Sequence, residues 1–144
     1  MKARAQALSL ALAALVGAPV QAAPKVLPRH GLVMFSSECV SEQSSDGHGM
    51  RVTLRRIGKI DDLVIERADF PIEVAWPLTF DAAGRRLTFE SRAGEVTPKV
   101  VEGRLSRDGM TLALRGLPFA PPDDREVLKR VIDFSRPTPL CGPG

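Results

Sequence analysis

Short segments in which apolar and polar residues alternate, with turns between them, fill most of the chain from residue 50 to residue 115. In the first segment Met50, Val52 and Leu54 occupy every second position, which is the period of a half-buried β-strand. The segments recur about every ten residues, and turn sequences such as Asp108-Gly109 separate them, as in an antiparallel meander. The sequence therefore predicts a mainly β fold: a single antiparallel β-barrel or sandwich of about seven strands.

The longest alternation lies in residues 71–80. Its apolar positions are Ile72, Val74, Trp76, Leu78 and Phe80. Since these residues alternate without interruption, we expect their face to point into the core, with Trp76 packed inside it. Pro77 cannot donate a hydrogen bond to a neighbouring strand, so the segment is predicted to lie at a sheet edge or to contain a bulge.

The pattern changes after two prolines at positions 121 and 122. Asp123 and Glu126 have the spacing of a helix-capping box. The apolar residues that would then share one face of a helix are Val127, Leu128, Val131 and Ile132. We therefore expect one short C-terminal helix within residues 123–134. The alternative is a further strand with Leu128, Ile132 and Phe134 pointing inward, a pattern that Arg130 does not fit.

The first 22 residues have the features of a cleavable secretory signal peptide. Lys2 and Arg4 give a positive start, and Ala7–Val16 is an apolar run that ends before a cleavage position after Ala22. This run is shorter than the ~20 residues that a membrane-spanning helix needs. Residues 1–22 are therefore predicted to be removed on export, which leaves no transmembrane segment.

The exported chain, residues 23–144, is expected to be a single mainly β domain in the periplasm or outside the cell. The full chain carries 20 Lys and Arg against 17 Asp and Glu. Loss of Lys2 and Arg4 with the signal peptide leaves 18 basic residues against the same 17 acidic ones. A near-neutral domain lacks the concentrated basic surface that nucleic acids require, so we expect no nucleic-acid partner.

Two cysteines, Cys39 and Cys141, lie near the two ends of the exported chain. In an oxidising compartment such a pair usually forms a disulfide, which is our prediction; the alternative is two free buried thiols. Two cysteines without further ligands at a metal-binding spacing do not make a zinc site. The sequence therefore predicts no metal site and no cofactor.

A search for catalytic motifs gives no candidate catalytic residue, since the chain lacks a nucleophile elbow, a zinc-binding helix motif and a phosphate-binding loop. The polar segment 41–49 is the one candidate for a functional loop. Its candidate contact residues are Glu42, Asp46 and His48, and the alternative is a solvated surface loop.

Arg51 and Arg55 fall on the polar face of the first alternating segment. They form a candidate stripe for contact with an anion, and the alternative is that acidic residues of the neighbouring strand balance them.

Together these features favour a non-catalytic periplasmic or secreted binding protein whose partner is a protein or another component of the cell envelope. One alternative is a small-molecule carrier of the β-barrel type. Another is a metal-dependent or hydrolytic enzyme that uses the loop from Glu42 to His48.

Overall fold

The computed structural model describes residues 27–57, 60–81, 83–92 and 97–142, and within these residues it contains strands and no helix. The strands are β1 (Gly31–Ser36), β2 (Cys39–Val40), β3 (Gly47–His48), β4 (Met50–Arg56), β5 (Asp61–Arg67), β6 (Phe70–Ala75), β7 (Thr79–Phe80), β8 (Arg86–Ser91), β9 (Lys99–Leu105), β10 (Thr111–Arg115) and β11 (Arg125–Arg130). The mainly β, antiparallel fold class is confirmed. The described residues form nine strands in one sheet and two in a hairpin, more than the predicted seven. The predicted signal peptide lies outside the described residues.

The nine-stranded sheet is antiparallel and has the order β6-β5-β4-β1-β11-β10-β9-β8-β7. Although β6 and β7 follow each other in the chain, they lie at opposite ends of this order. Ala75 pairs with Leu63 on β5, and Thr79 pairs with Thr88 on β8. Because the chain from Ala75 to Thr79 spans at most about 14 Å, the sheet must curl strongly into a half-barrel.

The inner face of the curled sheet forms one apolar core. Its fully buried large residues include Phe35, Leu54, Leu63, Leu87, Leu112, Leu114 and Leu128, which come from β1, β4, β5, β8, β10 and β11. Gly103 on β9 also faces inward, where a Cβ atom would lie 2.5 Å from Cδ1 of Leu87. The glycine therefore permits a close approach of β9 and the buried Leu87 side chain.

The apolar face of β6 points outward, so the predicted burial of this face was wrong. Ile72, Val74 and Trp76 are 66%, 56% and 64% exposed, whereas Glu73 is half-buried and Ala75 is buried. A period of two identifies a strand but does not say which face is buried, because that depends on its register with the neighbouring strand. Here Glu73 pairs with the buried Ile65 of β5, and the pairing turns Glu73 inward.

After β6, in the segment that leads to β7, an apolar residue again points into the core. Ala75 and Leu78 are both buried. Because they are three positions apart, the strict alternation of a strand is broken between them. The Trp76–Pro77 peptide bond in this segment is cis. The prediction that the proline-containing segment lies at a sheet edge is confirmed, since β6 and β7 are the two ends of the strand order.

The predicted C-terminal helix was also wrong, because Arg125–Arg130 forms strand β11. This strand pairs with β10 along its length and with β1 near its end. Backbone pairing on both sides outweighs the local capping signal, as tertiary context commonly does. Leu128 is buried as the alternative strand prediction required, but Ile132 and Phe134 lie beyond the strand and are exposed.

The predicted disulfide is confirmed: Cys39 and Cys141 are bonded, with 4.8 Å between their Cα atoms. Backbone contacts accompany the bond. Val40 N–H donates to the carbonyl oxygen of Pro139, and Cys141 N–H donates to that of Val40. The C-terminal tail is thereby held against β2. In the described part of the chain no helix is long and apolar enough to cross a membrane.

Candidate functional site: a groove at the edge of the curled sheet

A groove opens between the two edges of the sheet, beyond the point where β7 stops pairing with β8. Since β7 pairs only with Leu87 and Thr88, no described strand lies between β6 and the later part of β8. The space between them is a cavity of about 600 Å³. We call it the seam groove, and its lining residues are 70–74 of β6 together with Ile65, Arg67, Arg92 and Phe119.

Arg67 lies between two aromatic rings in this groove. Its Cζ atom is 4.1 Å from the ring centre of Phe70 and 3.6 Å from that of Phe119. The Nη1 atom is buried without a hydrogen-bond partner in the structure. Burial lowers the pKa of Arg67, against the opposing attraction of Glu126 and Asp69. Because arginine stays protonated in proteins, the groove contains a cation whose Nη1 N–H groups have no acceptor among the described residues.

Glu73 holds the two sides of the seam groove together. Its Oε2 atom accepts a hydrogen bond from Ser91 Oγ at 2.8 Å, and its Oε1 atom accepts one from the Arg92 backbone N–H at 2.6 Å. Ser91 is fully buried on β8. The carboxylate is thus engaged on both oxygens, which suits a structural role better than proton transfer.

Strand β6 and the residue that follows it present a row of large apolar side chains to solvent, and part of this row also lines the groove. We call Phe70, Ile72, Val74 and Trp76 the apolar row; each of them is exposed. Isolated exposed apolar residues are ordinary on protein surfaces, whereas a contiguous row on an edge strand is a candidate interaction surface.

The loop predicted as a candidate contact site forms a hairpin of β2 and β3. Glu42, Asp46 and His48 are all exposed on it. Ser41 organises its turn, since the Ser41 hydroxyl accepts hydrogen bonds from two following backbone N–H groups. No group of three or more His, Cys, Asp or Glu residues in the described chain is placed to hold a metal ion. A contact role for this loop stays a prediction.

The predicted arginine stripe is matched by carboxylates. Arg51 pairs with Glu38, and Arg55 forms two hydrogen bonds with Asp62, which lies opposite it on β5. The hydrogen bond and charge of Asp62 raise the pKa of Arg55. Binding of an anion by this stripe stays a prediction, and it would have to compete with these partners.

Sequence reasoning missed the seam groove because its polar and aromatic residues meet only in the folded chain. Arg67 and Phe119 belong to distant segments, and nothing in their local sequence links them. The one available signal was the pair of prolines, Pro71 and Pro77. Prolines mark an edge strand, and the apolar face of an edge strand need not be buried.

Comparison of the chain with protein-family models, with curated proteins and with solved structures gives no match.

Proposed function

We propose that this chain is a non-catalytic binding protein, exported to the periplasm or beyond, whose seam groove and apolar row bind an extended segment of a protein partner. The observation that carries the proposal is the inverted strand β6. It places Ile72, Val74 and Trp76 in solvent at the edge of the sheet, where burial against a partner would be favourable.

An extended protein segment fits this surface because, among the described strands, β6 pairs with β5 alone. Backbone groups on its other side are available to an added strand, while alternate side chains supply specificity. Pro71 lacks a backbone N–H, and Glu73 points inward from the edge. Both features discourage indiscriminate strand pairing, so the surface favours a selected partner over aggregation.

Arg67 supplies the polar part of the recognition. A buried donor without a partner costs about 1–3 kcal/mol. The Nη1 atom is buried in the unbound chain, so an acceptor atom of the bound segment would remove this cost where binding opens access to it. Binding at the apolar row and at Arg67 would therefore act together.

A small-molecule carrier is the second candidate, and the seam groove is the observation in its favour. The cavity of about 600 Å³ lies within the range of roughly 300–1,000 Å³ that is usual for small-molecule sites. Its aromatic pair around Arg67 would suit an organic anion with an apolar body. This candidate leaves the exposed Trp76, which does not line the groove, without a role.

Site-specific cross-linking distinguishes the two candidates. A photo-reactive phenylalanine analogue would replace Val74, and in a matched control it would replace Val100, a 61% exposed valine on β9. We expect a discrete protein adduct from position 74 in intact cells and none from position 100. Equal adducts from both positions would contradict the proposal. A small molecule that co-purifies without any protein adduct would favour the carrier.

The identified partner would then be purified and titrated with the wild-type protein. We expect Val74→Lys to weaken binding by about tenfold or more, because it puts a charge into an apolar contact. Val100→Lys should leave the affinity unchanged. Both substitutions are at exposed sites and should change the free energy of unfolding by no more than ~0.5 kcal/mol.

Export is tested separately. N-terminal sequencing of the protein from the envelope fraction should begin at Ala23. Recovery of the chain with Met1 intact from the cytoplasm would contradict the proposed localisation.

A further inference from the structure

Four arginines from four adjacent strands line a hollow on the outer face of the sheet. Arg86 lies on β8, Arg104 on β9, Arg115 on β10 and Arg125 on β11. The strand register places Arg86 opposite Arg104 and Arg115 opposite Arg125. With Glu102 and Ala113 they surround a volume of about 490 Å³, which we call the arginine hollow.

The charges of this hollow are poorly balanced. In the described part of the chain Arg104, Arg115 and Arg125 make no ion pair and no side-chain hydrogen bond. Glu102 is the one acidic residue among those that line the hollow. It forms no ion pair with any described residue, although it lies opposite Arg115 in the register. Like charges directly opposite each other destabilise a sheet, so a bound anion would relieve the repulsion.

The arginines of strand β4 differ from those of the hollow in that they form ion pairs. Arg51, Arg55 and Arg56 lie on β4, and each is paired with a carboxylate. The three arginines of β4 are therefore balanced by carboxylates, whereas in the described part of the chain Arg104, Arg115 and Arg125 make no ion pair. A general excess of arginine does not account for this difference.

Ala113 gives the hollow its depth. It lies between Arg104 on β9 and Val127 on β11, and it is only 6% exposed although it is on the outer face of the sheet. A larger side chain at this position would occupy the space between the arginines. The small residue thus leaves room for a ligand among the four guanidinium groups.

We infer that the arginine hollow binds phosphate groups. Guanidinium groups match phosphate oxygens with pairs of hydrogen bonds, and several of them suit a ligand with more than one negative charge. A phosphorylated solute or the phosphorylated headgroup of an envelope lipid would supply this chemistry. The hollow shares no residue with the seam groove, so the inference is independent of the proposed function.

Calorimetric titration with inorganic pyrophosphate tests the inference directly. The titration would be made at about 0.15 M salt, where screening over about 8 Å reduces non-specific attraction. We expect saturable binding by the wild type and a loss of about tenfold or more in Arg104→Gln/Arg115→Gln. The control Arg107→Gln/Arg136→Gln removes the same charge from two exposed positions outside the hollow. It should bind like the wild type.

A parallel arm measures binding to vesicles of phosphatidylglycerol and of phosphatidylcholine. Binding to phosphatidylglycerol alone, lost only in the hollow variant, would support the inference with a lipid headgroup as the source. Binding of pyrophosphate with no vesicle binding would support it with a free phosphate compound. Absence of binding in both arms, or equal losses in the hollow and control variants, would overturn it. Thermal unfolding of each variant checks that the fold is intact.

Discussion

Glu73 on β6 accepts a hydrogen bond from the buried hydroxyl of Ser91 on β8, with 2.8 Å between Oε2 and Oγ. These two strands do not pair through their backbones in the described sheet. The carboxylate also accepts the backbone N–H of Arg92. A single inward-pointing side chain therefore joins the two sides of the seam groove, which explains why an edge strand carries a half-buried glutamate.

The first prediction concerns this contact. Glu73→Ala would leave the buried hydroxyl of Ser91 without its acceptor, so we expect a loss of about 1–3 kcal/mol in the free energy of unfolding. Urea denaturation measures the loss, and Glu90→Ala at an exposed position of β8 is the control. A double-mutant cycle with Ser91→Ala should reveal coupling between the two residues. Strictly additive losses would show that the hydrogen bond contributes nothing.

The second prediction concerns Gly103 on β9. A Cβ atom there would lie 2.5 Å from Leu87 Cδ1 and 3.1 Å from Leu114 Cδ2, and both leucines are fully buried. We expect Gly103→Ala to destabilise the protein by about 1–3 kcal/mol through overpacking. Gly47→Ala is the control, because its Cβ would meet only an ordinary contact at 3.8 Å. Equal stability of the two variants in urea denaturation would contradict this account of the core.

The third prediction concerns acid sensitivity. The pKa of Asp108 is lowered, mainly by the hydrogen bond from Ser106 Oγ and then by that from the Met110 N–H. A folded-state pKa below the unfolded value of about 3.9 means that the unfolded chain binds more protons in acid. The stabilisation is therefore complete above about pH 4–5 and is lost as the pH falls through the lowered pKa.

Asp108→Asn removes this titration, so we expect its free energy of unfolding to fall less than that of the wild type between pH 7 and about pH 2–3. Urea denaturation at several pH values gives both curves. Asp123→Asn at an exposed position without a hydrogen bond in the described chain is the control, and it should follow the wild type. Parallel curves for the wild type and Asp108→Asn would show that the hairpin carboxylate does not contribute to the acid dependence.

The sequence was sufficient to predict strands where alternation and burial agree. The segment from Arg86 to Ser91 is an example, since Leu87 and Phe89 alternate with polar residues and both are buried. It was insufficient for β6, because the buried face depends on the register that places Glu73 against Ile65. Such pairing joins two strands and cannot be read from either one.

The same dependence on strand pairing explains why the sequence did not predict strand β11, the seam groove or the arginine hollow. Local spacing around Val127 favours a helix, but pairing with β1 and β10 makes the segment a strand. Arg104 and Arg115 occupy ordinary polar positions in their own strands, and only the strand order reveals that they line one hollow. The disulfide was easier to predict, because two cysteines in a chain with a predicted signal peptide have one possible intramolecular partner each.

The last prediction concerns the contribution of that disulfide to stability. Cys39 and Cys141 are 102 residues apart, so their bond closes a ring that contains β2 to β11. In the chain-entropy model a ring of this size restricts the unfolded chain by about 4–5 kcal/mol, and removal of such bonds from small exported domains commonly costs 2–5 kcal/mol. We expect Cys141→Ser to lower the free energy of unfolding by about 2–5 kcal/mol, as measured by urea denaturation.

The double variant Cys39→Ser/Cys141→Ser is the control. It should lower the free energy of unfolding by no more than the single variant does, because the bond acts as one unit. The wild type in reductant should match the double variant, and equal midpoints with and without reductant would show that the ring adds no stability.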